Sequence, residues 1–199
     1  MDELTNCINK TNELIYILHT LELENTIRKR FIVFDRELSV MQIDILEANL
    51  YRLTHINKIL IRGDANAILR DIQSLVNLDN VESIDIEFPH DILKNKYTDY
   101  PLDLSLIKPN IKELVIGGLD GLHCEFNNID QFTDIKRLSL YCCRLGIIPK
   151  NVYKMNSLVD ASFMLCQIIH ASRDDIQSMT NLKNINLMYN PLNFDHKAI

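Results

Sequence analysis

The adjacent thiols Cys142 and Cys143, with His123 beside Cys124 and with His170 further on, are the side chains best suited to chemistry. A thiolate next to an imidazole is a nucleophile, and thiolates and imidazoles at short spacing hold zinc. The spacing here argues against both. Cys142 and Cys143 follow the alternating run "RLSLY", so an extended backbone sends one outward and the other inward. His123 and His170 fall in segments between such runs, away from that face. The five cysteines, Cys7, Cys124, Cys142, Cys143 and Cys166, are odd in number and lack CxxC pairs, so reduced thiols are expected and not a disulfide framework or zinc site. No HExxH, GxSxG, Walker lysine loop or GxGxxG occurs. The expectation is a protein without catalytic residues, cofactor or metal, whose function resides in a surface.

The elements that would build such a surface repeat. Ile135, Leu138, Leu140 and Cys143 follow an apolar-x-x-apolar-x-apolar-x-x-Asn/Cys frame. The frame recurs at Ile56, Ile59, Ile61, Asp64; at Val81, Ile84, Ile86, Pro89; and at Ile111, Leu114, Ile116, Leu119. It continues at Leu158, Ala161, Phe163, Cys166 and at Leu182, Ile185, Leu187, Asn190, which makes six copies. Their first positions are separated by 25, 30, 24, 23 and 24 residues, a period that signals a repeat array. The second half of each unit carries apolar residues at three- and four-residue steps, as in Leu145, Ile148, Val152 and Met155. Each unit reads as a short strand and a helical or extended return segment.

This frame resembles the leucine-rich repeat family over residues 56–192, with "RLGIIPKNVYKMNSL" and "NLKNINLMYNPL" as the most similar stretches. The resemblance implies an α/β solenoid with a parallel sheet on its concave side and a helical or extended convex side. It also implies a buried column at the Asn/Cys position, filled by Asn190, by Cys143 and Cys166 as substitutes and, more loosely, by Asp64. Pro89 and Leu119 depart from that column. In stacked units the second and third apolar positions of each strand would line up inside, Ile59 beside Ile84, Leu114, Leu138, Ala161 and Ile185.

Residues 1–55 lie outside the frame and are expected to form a helical cap on the repeat domain of residues 56–199. Leu4, Ile8, Thr11, Ile15, Leu18 and Leu21 keep helical spacing, as do Leu38, Met41, Ile45 and Ala48, with Ser39 and Gln42 as a capping box. "RFIVFD" between them reads as a short edge strand. An F-box-like recruitment role for this segment, making the chain an adaptor, is the rival reading, although it lacks the leading Leu-Pro of F-boxes. The second unit carries an insertion around residues 89–109, expected as a surface loop.

The candidate binding surface is the outward sheet face. Tyr141, Met164 and Met188 should stand side by side there, with Cys142, Leu165 and Tyr189 next to them and Phe88 at the equivalent place in the second unit. Contiguous apolar and aromatic patches of this kind mark protein interfaces. A protein partner is therefore expected, with self-association through an uncapped last unit, giving a homodimer or scaffold, as the alternative. A net charge of −6 without clustered basic residues argues against nucleic acid. No run of eighteen apolar residues and no basic-then-apolar leader occurs, so no membrane contact and a cytoplasmic protein are expected. The Ile-, Asn- and Lys-rich composition suggests an AT-rich genome such as that of a large DNA virus, and with it a host-directed effector role.

Overall fold

The computed structural model describes residues 31–34, 40–48, 50–53, 56–88, 99–117 and 123–193. The first expected helix, Ser39 of the capping box and the first part of the insertion lie outside these residues. Seven strands form one all-parallel sheet: β1 (Phe31–Phe34), β2 (Lys58–Arg62), β3 (Ser83–Glu87), β5 (Glu113–Gly117), β7 (Arg137–Tyr141), β8 (Asp160–Ser162) and β9 (Asn184–Asn186), in that order. Two further strands, β4 (Asp99–Asp103) and β6 (His123–Asn127), pair with each other in a separate parallel sheet. Helix α1 (Val40–Ala48) follows β1, α2 (Ala65–Asp71) and α3 (Gln73–Val76) follow β2, and α4 (Arg173–Ser178) precedes β9. The molecule belongs to the α/β class.

Register follows the apolar frame residue by residue. Ile59 pairs with Ile84, Ile84 with Leu114, Leu114 with Leu138, Leu138 with Ala161 and Ala161 with Ile185. A second inner row runs Phe34, Ile61, Ile86, Ile116 and Leu140. Because side chains alternate along a strand, a slip of one residue would turn every one of these groups outward, which fixes the register energetically. Nearly all are fully buried, together with the first frame positions Ile56, Val81, Ile111, Ile135 and Leu158. Each fully buried Val, Leu or Ile among them contributes about 1.5–3 kcal/mol of burial.

The expected edge strand at Phe31–Phe34 is present and adds a seventh strand beside β2. The return segments vary in form. Helices α2 and α3 cover the first with Ile68, Ile72 and Leu75, whereas short 3-10 turns at Ile129–Gln131 and Val152–Lys154 do so later, with Phe132 and Met155. The end of the insertion forms β4 and pairs with the next return segment.

Asp64 does not enter the buried column. It is exposed and caps α2, its carboxylate accepting the Ala67 N–H at 3.2 Å, because the chain turns directly into a helix there. The column is filled further on. The Cys143 thiol donates to Ile116 O at 3.9 Å and Tyr141 O at 3.4 Å, and the Cys166 thiol to Leu140 O at 3.0 Å. The Asn190 amide donates to Phe163 O at 2.6 Å and accepts the Ile168 N–H at 3.0 Å. Each side chain satisfies a carbonyl of the preceding strand, which keeps the sharp exit from the strand free of orphaned backbone groups.

Candidate functional site

Three turns follow β7, β8 and β9, and each contains a residue in the left-handed backbone region: Cys142 (φ 55), Leu165 (φ 58) and Tyr189 (φ 61). Non-glycine residues adopt this conformation only at a cost of about 1–2 kcal/mol. Here it breaks the strand alternation, so Cys143, Cys166 and Asn190 go inward while the preceding residue stays at the surface. The turns are stacked in phase by main-chain bonds from Cys142 N–H to Met164 O, 3.1 Å, and from Leu165 N–H to Met188 O, 3.2 Å. Six of the expected residues, Tyr141, Cys142, Met164, Leu165, Met188 and Tyr189, are thereby gathered along one rim of the sheet. Leu165, Met188 and Tyr189 are 45%, 57% and 68% exposed, and the other three are half-buried.

Phe88 is not part of this surface. It is 3% exposed and sits in the core. Its N–H bonds Gly117 O at 2.9 Å, so the backbone continues extended past β3 without a left-handed residue. Alternation then places Phe88 on the same side as Ile84 and Ile86.

The rest of the outward face divides in two. Over β2, β3 and β5 the charges are neutralised within the sheet: Lys58 Nζ to Asp85 Oδ2 at 3.2 Å, Arg62 Nε to Glu87 Oε2 at 2.7 Å, and Arg137 Nε to Glu113 Oε1 at 3.7 Å. Ser83 adds a hydroxyl bond to Glu113 Oε2 at 2.9 Å. Asp85 is crowded, with Oδ1 buried and without a hydrogen-bond partner among the described residues, and burial raises its pKa above 3.8 despite the pull of Lys58.

The Tyr141 ring lies over Gly117, its register partner on β5, in the space where a side chain at that position would stand. Only glycine admits it. Burial, and then the negative charges of Glu87 and Asp85, push the Tyr141 hydroxyl up to about 12. Tyr141 thus closes the boundary between the ion-paired half and the other half of the face.

Over β7, β8 and β9 the outward strand positions carry two charges, Arg137 and Asp160, among small and polar residues. A groove of about 300 Å³ crosses it, floored by Val115, Ser139, Ser162 and Asn186 and flanked by Arg137, Asp160 and Asn184. Its depth comes from two small residues, Ser139 and Ser162, paired in register. The patch was legible from alternation and period, but the groove was missed. Its sequence signal is the run of small residues at matching outward positions of successive units.

The thiols brought together are Cys143 and Cys166 of adjacent turns, both buried, and a bond from Cys143 draws the Cys166 thiol below 9.0. His170 is exposed in a return segment, bridged to Ile147. Among the described residues no group of three or more His, Cys, Asp or Glu is placed to hold a metal ion, and no helix is long and apolar enough to cross a membrane. No protein-family model matches the chain and no curated protein shows significant similarity to it, so the meaning of the rim and groove rests on their own geometry.

Proposed function

We propose that this chain is a leucine-rich repeat solenoid with an N-terminal helical cap, acting as a non-enzymatic interaction module that holds a protein partner on the concave face of its sheet. The observation that carries this reading is the stacked rim: three successive turns accept strained backbone and hold Tyr141, Met164, Leu165, Met188 and Tyr189 at the surface. Methionine and tyrosine are common anchors of protein interfaces, and burying such a patch yields about 25 cal/mol per Å². The ion pairs over β2, β3 and β5 are already satisfied, so they add little to a partner's affinity.

The test is affinity capture with mass spectrometry, comparing the wild-type chain with Tyr141→Glu/Met164→Glu. A partner retained by the first and lost by the second, with the circular dichroism spectrum unchanged, is the expected result. Equal capture by both would remove the rim from the binding site.

Self-association is the second reading, supported by the far edge of the sheet. Leu182, Ile185 and Leu187 are only partly buried, although their counterparts in earlier strands are enclosed, and a hollow of about 370 Å³ opens between Ile176, Met179, Leu182 and Ile185. Sedimentation equilibrium that finds only monomer at high micromolar concentration would eliminate it.

A further inference from the structure

We infer that the groove across β5, β7, β8 and β9 receives a lysine or arginine side chain of the partner protein, with Asp160 as counter-ion and the Ser139 and Ser162 hydroxyls as further acceptors. This rests on the protein-binding reading above and specifies what the partner must present.

Charge complementarity selects the cation. Three charged side chains line the groove, Glu113, Arg137 and Asp160. The Arg137 guanidinium leans toward β5, where its Nε is 3.7 Å from Glu113 Oε1. Glu113 is further engaged by the Ser83 hydroxyl at 2.9 Å. Asp160, on the other side of Arg137, receives only the neutral Asn184 amide at 2.6 Å and has no ion-pair partner among the described residues. The groove therefore keeps one uncompensated negative charge beside two serine hydroxyls that have no hydrogen-bond partner among the described residues. An ammonium or guanidinium offers the several donors that such a set of acceptors takes up. Val115 on the floor suits the aliphatic stem of a long basic side chain, which packs its methylenes while the charged head stays hydrogen-bonded. The rim at Tyr141 and Met164 lies two residues beyond Ser139 and Ser162, so an apolar residue adjacent to the basic one would reach it.

The experiment selects random peptides of about a dozen residues, displayed on phage, against the full chain, and measures the enriched peptide by fluorescence anisotropy. The expected peptide carries a lysine or arginine next to apolar residues. Replacing that residue with norleucine should weaken binding to the wild type about tenfold or more, and should change little against Asp160→Asn. Asp160→Lys should instead prefer the same peptide with glutamate at that position. Ser139→Val/Ser162→Val, which fills the groove without touching Asp160, should also abolish the preference for a basic residue.

The inference is overturned by enriched peptides that lack a basic residue, by acidic peptides whose binding depends on Arg137, by no enrichment at all, or by Asp160→Asn leaving the affinity unchanged. Peptides lost on Met188→Glu but indifferent to Asp160→Asn would leave the protein-binding reading standing and remove the cation pocket alone. Peptides that depend on Asp160 but are indifferent to Met188→Glu would do the reverse to the rim.

Discussion

Gly117 and Tyr141 show how one residue on a strand shapes the face for its neighbour. The ring occupies the place of a side chain on β5, and its burial, followed by the negative charges of Glu87 and Asp85, raises the phenol's pKa to about 12. In Gly117→Ala the ring has to swing out, and the expected loss is about 1 kcal/mol in urea denaturation, the low end for overpacking because the ring tip is free to move. The same variant should return the Tyr141 titration from about 12 toward the ordinary 10.0, read from phenolate absorbance against a Tyr141→Phe control. The sign follows from the raised value. The folded protein binds this proton more tightly than the unfolded chain, so the contribution is complete below pH 10.0 and is lost as pH rises to about 12. Tyr141→Phe should remove that alkaline loss.

At the scale of elements, the strands differ in how fully their neighbours enclose them. Leu138 on β7 is flanked by β5 and β8 and is 1% exposed, whereas Ile185 on β9 has, among the described residues, a strand on one side only and is partly exposed. Truncation in the enclosed strand leaves a cavity that the packed sheet cannot close, and truncation at the edge leaves space that water and side-chain motion fill. Leu138→Ala should cost about 2–5 kcal/mol and Ile185→Ala clearly less, both measured by chemical denaturation. Equal losses would mean that β9 is enclosed in solution, as the self-association reading requires. The turns behave differently from the strands. Their geometry depends on the column side chains Cys143, Cys166 and Asn190, which anchor each exit to the preceding strand.

For the whole molecule, the parallel sheet in chain order means that each strand pairs only with its immediate neighbours in the array. Cooperativity in such an arrangement passes from strand to strand, and the ends open first. Amide hydrogen exchange should be slowest at Ile84, Leu114 and Leu138 and fastest along β9, in a graded series. A flat profile, with β9 as protected as β5, would contradict a sheet stabilised by nearest neighbours. The gradient bears on the proposed binding reading, in which a partner seated on the rim and groove, over the less enclosed strands, would raise protection most there.

The apolar frame by itself determined the strands, their parallel alignment and the register, because each unit repeats the same inward positions and only one alignment buries them all. It also placed Tyr141, Met164 and Met188 at matching positions of successive units, since the period fixes them. It did not determine the turns. Cys142, Leu165 and Tyr189 carry no glycine or asparagine signal for left-handed backbone, and Phe88 in the same frame position stays extended and goes into the core. The pairing of β4 with β6 and the cap formed by Asp64 were likewise closed to sequence reading, for they depend on what lies next to each segment in space. Tertiary structure alone decided the groove, the ring of Tyr141 over Gly117 and, among the described residues, the lack of an ion-pair partner for Asp160. These arise where side chains of different units meet, and a period records the spacing of units without recording which partner each side chain finds.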